Sequence, residues 1–380
     1  MKLVPKRRFK GFSGEWEEHA LEKIMAEFIV PMRDKPKEFG GNIPWTRIED
    51  IEGRYLHGTK SEQYVREETI RKMNLKIIPK DSLIVSASAT FGVVAIVTSD
   101  LITNQTFIGL IPNDGYDLNF LYVFLKSPLI QMKMRSKSAG STIFYISREK
   151  FEKLKGALPS LKEQEKIGKH FANLDNLIVV QKSKLKKLQA MKQAYLHEMF
   201  PAEGKSVPKR RFAGFMEGWA TKKLGEILQV NSGRDYKHLQ EGDIPVYGTG
   251  GYILSVDDSL SEVDGIGIGR KGTIDKPLYL KAPFWTVDTL FFLTPILSCD
   301  LYYFYLICQK VDWRAMDEST GVPSLSKNII ENIPLRVAKL EEQQKIGSFF
   351  KKLDERIAMQ KAKVEKLKAM KKAYLEEMFV

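Results

Sequence analysis

Leu161-Lys-Glu-Gln-Glu-Lys-Ile-Gly-Lys-His-Phe-Ala-Asn-Leu-Asp175 opens a stretch that runs to Phe200, and Leu340-Glu-Glu-Gln-Gln-Lys-Ile-Gly-Ser-Phe-Phe-Lys-Lys-Leu-Asp354 opens a near copy that runs to Phe379. The copies lie at a constant offset of 179 and share Glu-Gln, Lys-Ile-Gly, Leu-Asp, Gln-Lys, Ala-Met-Lys, Ala-Tyr-Leu and Glu-Met-Phe. Neither has Pro or Gly after Gly168 or Gly347, and Lys, Glu, Ala, Leu and Met dominate, which predicts helix throughout. Apolar residues recur at alternating steps of three and four: Ile167, Phe171, Leu174, Ile178, Leu185, Leu188, Tyr195 and Met199, then Ile346, Phe350, Leu353, Ile357, Val364, Leu367, Tyr374 and Met378. This is a heptad seam. A glutamine interrupts each seam at the same place, Gln181 and Gln360, as polar residues that set register do, and Lys192 and Lys371 fall on it beside Met191 and Met370. Roughly 35 helical residues at about 1.5 Å each make a rod on the order of 50 Å. Two matched rods paired antiparallel are expected to hold separate domains at opposite ends.

A second block repeats at a different offset. Val4-Pro-Lys-Arg-Arg-Phe9, Gly11-Phe12, Trp16, Leu21 and Ile24 return 203 residues later as Val207-Pro-Lys-Arg-Arg-Phe212, Gly214-Phe215, Trp219, Leu224 and Ile227. Between the blocks lie two stretches that barely resemble each other, about Met25 to Pro159 and about Leu228 to Pro334, and the fall in offset from 203 to 179 makes the second shorter by 24 residues between matched frame positions. The chain therefore reads as two half-units with a shared frame and different inserts, suited to one kind of task on two targets. Expected boundaries are a first domain over 1–160, a helix over 161–200, a polar linker over 201–206, a second domain over 207–336 and a second helix over 337–380. Joining the C-terminus to Met1 would reproduce the central junction, so the organisation is effectively circular and pseudo-twofold.

Both inserts read as α+β. The first has strand-like runs at Leu83–Ser86, Val93–Thr98 and Phe107–Ile111 and a helical run at Leu118–Lys126; the second has runs at Ile244–Tyr247, Ile266–Ile268, Leu278–Leu280 and Thr289–Leu293, then a helix near Leu301–Val311. The fold class expected is thus two globular α/β-mixed domains joined by two long helices forming an antiparallel coiled coil. Each insert ends in a polar loop, Ala139-Gly-Ser-Thr142 in the first and Ser319-Thr-Gly321 with Ser324-Leu-Ser326 in the second. Other loops mix Gly, basic and aromatic residues, the mixture that lets backbone approach phosphate while side chains reach base edges. The candidates are Trp45, Arg47, Arg54, Tyr55, His57 and Lys60 in the first insert, and Arg234, Lys237, Tyr247, Thr249, Arg270 and Lys271 in the second.

Composition points the same way. With 380 residues, 43% hydrophobic, the chain has material for two cores, and its formal charge of +13 with pI near 9.3 favours an anionic partner, nucleic acid ahead of a membrane surface. Met1 to Phe12 is basic without an apolar core behind it, which predicts a cytoplasmic address. Ser82 to Ser99 and Thr289 to Cys308 are apolar enough to suggest membrane spans, but Gly92 breaks the first and Pro295 and Asp300 the second. Cys299 and Cys308 lack zinc-ligand neighbours and read as buried reduced thiols, and five scattered histidines make no ligand cluster; no metal is expected.

Three motifs are set aside. Gly267-x-Gly269-x-x-Gly272 matches a dinucleotide fingerprint in letters, yet strand-like sequence with Pro277 follows where a helix is required. Pro201-Ala-Glu203-Gly-Lys205 resembles a nuclease carboxylate and lysine but lies in the linker. No P-loop, HExxH or GxSxG occurs, so no cofactor is expected.

The order of parts resembles the specificity subunit of type I restriction-modification enzymes: insert, heptad helix, short linker, a different insert and a second copy of the helix. Leu161 to Ile167 with Leu174-Asp175, and Leu340 to Ile346 with Leu353-Asp354, resemble the segment that opens that family's helices. Ile77-Ile-Pro-Lys-Asp-Ser-Leu-Ile-Val85 and Ile268-Gly-Arg-Lys-Gly-Thr-Ile274 resemble segments of its target recognition domains. The resemblance implies that each insert reads one half of a split, asymmetric site in double-stranded DNA. It further implies that the helices set the spacing and dock two methyltransferase subunits, and that motor-nuclease subunits join them. S-adenosylmethionine and ATP chemistry would then belong to the partners. The alternatives are a nuclease or methyltransferase with an unrecognised motif, and a coiled-coil scaffold that reads no DNA.

Overall fold

The computed structural model describes residues 2–88, 90–139 and 145–380. Of the polar loop Ala139-Gly-Ser-Thr142, positions 140–142 lie outside the described residues. The chain forms two compact units, one of Met1–Lys184 with Lys361–Val380 and one of Leu185–Gln360.

In the first unit the apolar run Leu83–Ser86 becomes the middle strand of a five-stranded sheet. The order is Met25–Ile29, Phe107–Pro112, Leu83–Ser86, Val94–Val97 and Tyr55–Leu56, antiparallel except for the last pair. Leu83–Ser86 and Val94–Val97 are buried at every position. That explains why they read as continuous apolar runs: side chains alternate across a strand, and here both faces are covered. Leu83 and Val85 join the core under the helix Leu118–Lys126, with Phe120, Leu121 and Phe124, while Ile84 joins the opposite core with Ile78, Val97 and Leu101. Asp117 caps that helix by accepting from Phe120 N at 2.7 Å.

The second unit builds a four-stranded antiparallel sheet in the order Leu228–Ser232, Leu290–Pro295, Gly265–Gly269 and Leu278–Leu280. Asp300 caps its helix Leu301–Cys308 through Tyr303 N, also at 2.7 Å. A separate three-stranded sheet, Gly251–Val256, Glu241–Gly248 and Trp285–Thr286, stands beside it.

Although the inserts look unrelated in sequence, the four strands of the second unit's sheet correspond to four of the first unit's five, and Tyr55–Leu56 has no counterpart. The offset between equivalent residues is 203 at Met25–Ile29, 183 from Leu83 to the capping Asp117, and 179 from Tyr145 onward. The second insert is therefore shorter mainly between the first strand and the middle one, where the two units build different substructures. Core positions demand only apolar character of about the right size, so identity drifts while the sheet persists.

The long helices run over Leu161–Glu198 and Leu340–Glu377. In the first unit Phe171 meets Phe379, His170 meets Tyr374 and Asp175 pairs with Lys371, while Leu174, Ile178 and Leu367 form one cluster. Numbers rise on one segment as they fall on the other, so the segments are antiparallel. The second unit repeats the arrangement with Lys192 bonded to Asp354 at 2.8 Å and Tyr195 against Phe349. Lys192 and Lys371 thus each pair across the seam with an aspartate on the facing helix, and Met370 beside Lys371 packs against the Leu174, Ile178 and Leu367 cluster. The expected seam residues Phe171, Leu174, Ile178, Gln181, Phe350, Leu353, Val364 and Leu367 are buried, whereas Leu185, Leu188, Ile357 and Gln360 are partly exposed.

Repeated frame residues have identifiable work. A Cβ on Gly168 would lie 2.2 Å from Asp117 Oδ1, and one on Gly347 would lie 2.1 Å from Asp300 Oδ1, so each Lys-Ile-Gly admits the capping aspartate of the insert helix. Arg8 grips Glu163 through two nitrogens at 2.8 and 2.7 Å, and Arg211 grips Glu342 likewise at 2.7 and 2.8 Å. Cys308 is buried and Cys299 only partly so, which corrects the expectation of two buried thiols; burial raises their pKa values to about 12 and about 11.

Lys126 closes the helix Leu118–Lys126 and donates to Tyr122 Oη at 3.2 Å. Burial, reinforced by Lys371 and Arg54 and opposed by Asp175, lowers its pKa from 10.5 to about 8. The unfolded chain then binds more protons between those values, so this group makes stability rise as pH climbs from about 8 towards 10.5. Lys126→Met is expected to abolish that increment; denaturation curves at pH 7.5 and pH 10 check it, and an unchanged pH slope refutes it.

Candidate nucleic-acid interface

In the second unit the pairing of strands gathers residues that are distant in sequence around the turn Thr286–Leu290. Arg234 N donates to Thr286 O at 2.8 Å, Gly233 N to Leu290 O at 3.1 Å, Arg270 N to Thr289 O at 2.8 Å, and Val287 N to Tyr247 O at 3.0 Å. Arg234, Tyr247, Arg270 and Lys271 therefore share one end of the sheets. Thr249 sits at the nearby hairpin tip between Glu241–Gly248 and Gly251–Val256, and Lys237 in the loop after Arg234. Arg234, Lys237, Arg270 and Lys271 are exposed and form no ion pair among the described residues. Exposed cations not engaged in an ion pair suit phosphate oxygens, which release counterions when neutralised. The exposed Asp288 in the same turn is an acceptor within this basic edge.

Arg270 and Lys271 also line a concavity of about 450 Å³ with Ser232, Phe291, Ser324 and Lys327, and the Arg270 guanidinium lies 5.6 Å from the centre of the Phe291 ring. Lys327 and Ser232 were not among the sequence candidates. They sit on a strand and a short helix, where no Gly-rich loop signal marks them.

The first unit divides its candidates. Thr46 N donates to Ile102 O at 2.8 Å and Thr103 Oγ1 to Thr46 O at 3.0 Å, which ties Arg47 to the turn equivalent to Thr286–Leu290. Asp50 accepts from Arg47 N and Lys60 N, each at 2.7 Å, and so holds two basic residues in one loop cluster. Arg47 Nη2 also donates to Gln63 Oε1, and Lys60 Nζ to Glu49 O, both at 2.7 Å. His57 is exposed and bonded to Thr98 Oγ1 at 3.1 Å, with partly buried Tyr55 against its ring at 5.5 Å.

Two candidates are corrected. Trp45 is 2% exposed and packs with Val65, Leu75 and Ile102 in a small core. Arg54, whose side chain is 1% exposed, stacks 4.5 Å from the Tyr122 ring centre with Nε 3.8 Å from Asp175 Oδ2. Its three nitrogens find no hydrogen-bond partner among the described residues. Both were read as surface residues because Gly and polar neighbours flank them, yet what covers a loop comes from elsewhere in the chain.

Among the described residues no group of three or more His, Cys, Asp or Glu is placed to hold a metal ion. Gly267 and Gly269 lie within a buried strand, and no helix opens after Gly272.

Comparison with known proteins identifies relatives of this architecture. The family described as type I restriction modification DNA specificity domain matches residues 22–190 and 216–369. The specificity subunit of type I restriction enzyme MjaIX from Methanocaldococcus jannaschii is 31% identical over 236 residues, 58% of this chain; the match spans only about half of that relative, 53%. The MjaVIII specificity subunit from the same organism is 23% identical over 390 residues, 90% of each protein. Among solved structures, the type I restriction-modification S subunit from M. genitalium superposes with a TM-score of 0.71 at 19% identity, covering 99% of both chains, and so shares the fold.

Proposed function

Because this chain belongs to the type I restriction-modification DNA specificity family, we propose that it selects the DNA sequence on which its complex acts. It is the non-catalytic component, which recognises DNA in a complex with methyltransferase and restriction subunits. We assign target recognition to residues 1–160 and 207–336, pairing to the helices 161–200 and 337–380, and a connecting role to 201–206. Two methyltransferase subunits would dock on the helical frame, and the complex would act in the cytoplasm; no helix of the described residues is long and apolar enough to cross a membrane.

The observation that carries this reading is the basic edge at one end of the second unit's sheets, where Arg234, Arg270 and Lys271 are exposed around the turn Thr286–Leu290 and form no ion pair among the described residues. In the first unit Arg47, His57 and Lys60 remain as readers or phosphate contacts. The two edges carry different side chains on corresponding sheets, as two dissimilar half-targets require.

Exchanging Met25 to Pro159 for the insert of another family member is expected to replace one half of the methylated site and leave the other half and the gap unchanged. Sequencing of methylated sites in cells carrying the hybrid and its methyltransferase reads this directly. A change in both halves contradicts independent readers, and methylation or cleavage by the purified chain alone would instead favour an enzyme.

A further inference from the structure

The two units set different side chains on one equivalent backbone junction. In the second unit the strand Gly265–Gly269 ends at Arg270, whose N donates to Thr289 O at 2.8 Å and whose O accepts from Leu325 N at 2.9 Å. Lys271 then forms an antiparallel bridge with Ser324. In the first unit the strand Leu83–Ser86 ends at Ala87, whose N donates to Thr106 O at 2.7 Å and whose O accepts from Ile146 N at 3.0 Å; Ser88 then bridges Tyr145. Offsets of 183 and 179 map each residue of one junction onto the other. The backbone bonds match, and of the side chains only Thr106 and Thr289 do.

This is the arrangement a specificity position needs. Backbone hydrogen bonds to a neighbouring turn and to the lead-in of a short helix fix where each side chain starts, so replacing the side chain alters the donors offered without moving the frame. Here Arg270 and Lys271 supply donors only, with Phe291 beneath the guanidinium, and they are exposed at the rim of the concavity. Ser88 and the exposed Tyr145 supply hydroxyls that donate and accept. A paired-donor set matches the O6 and N7 acceptors of guanine in the major groove, whereas hydroxyls match several base edges.

We infer that this junction is where each unit discriminates its half-target, Arg270 and Lys271 selecting a guanine in one half and Ser88 with Tyr145 holding the equivalent place in the other. The inference rests on the DNA-reading function proposed above. Its test uses the full chain assembled with its methyltransferase subunits, selecting from duplexes in which both half-targets are randomised. Wild type is compared with Arg270→Ala/Lys271→Ser, which installs the first unit's residues in the second, and with Lys281→Ser, an exposed charge outside the junction. The double variant is expected to lose preference at one G·C pair by roughly ten- to hundredfold while every other position keeps its preference. Lys281→Ser should match wild type. If the double variant does not assemble, Lys271→Ser alone gives the same readout. Unchanged preferences overturn the inference, as does a loss spread evenly over all positions, which marks contact with phosphate only. A wild-type complex without any sequence preference would refute the DNA-reading premise itself, a different failure.

Discussion

Asp175→Ala is expected to destabilise the first unit by about 3–5 kcal/mol, more than any single change on the exposed face of the same helix, because it strands buried cations. The Asp175 side chain, 15% exposed, pairs with Lys371, and Arg54, almost wholly enclosed, forms no other ion pair and no side-chain hydrogen bond among the described residues. Lys126, already depressed in pKa by burial and by Lys371, would lose the charge that opposes that shift. The sequence-equivalent Asp354 serves differently: it is 26% exposed and binds Lys192 and the Tyr302 hydroxyl, each at 2.8 and 2.7 Å respectively. Asp354→Ala strands Lys192 alone, with no enclosed guanidinium beside it, and about 1–3 kcal/mol is the expected loss. Denaturant unfolding of the full chain, followed by hydrogen exchange in each unit, separates the two. A double variant Arg54→Met/Asp175→Ala should recover part of the larger loss, since an enclosed guanidinium no longer needs an anion. Equal losses at the two aspartates, or no recovery, would refute this account of the first unit.

The half-unit Met1–Glu203 is expected to be a dimer rather than a folded monomer. Phe171, Leu174 and Ile178 are covered in the first unit by the segment Lys361–Val380, which the fragment lacks. Lys182–Pro201 of a second copy is the natural replacement, being identical to Lys361–Val380 at 13 of 20 positions, with Lys192 equivalent to Lys371. Asp175 of each copy would then meet Lys192 of the other, an isologous contact that closes on itself. Monomeric exposure of three large apolar side chains would forfeit on the order of 5 kcal/mol of burial, which makes the single-copy fold marginal. Light scattering reads the mass, and with the methyltransferase present the methylated sites should become palindromic, built from one half-target and its inverted repeat. A folded, monomeric fragment with its partner present contradicts the shared-frame model.

What the residues alone determined is local or repeated. The two long helices follow from helix-forming composition and a heptad step, and the strands Leu83–Ser86, Leu278–Leu280 and Phe107–Pro112 follow from apolar runs bounded by turn residues. The two-part organisation follows from the doubled blocks at offsets of 203 and 179. Composition and the order of parts pointed to DNA before any geometry was known, and Arg270 and Lys271 were legible as Gly-flanked cations on a turn.

Tertiary structure decided whatever depends on a partner far along the chain. Arg54 lies 121 residues from the Asp175 that balances it, and Asp175 lies 196 from Lys371, so no local pattern marks Arg54 as buried or Lys371 as paired. Trp45 became core because Val65, Leu75 and Ile102 close over it. The kinship of the inserts was hidden for the converse reason: backbone hydrogen bonds and apolar volume, not side-chain identity, preserve a sheet, so the junctions at Ala87 and Arg270 coincide in bonding while only Thr106 and Thr289 share a letter.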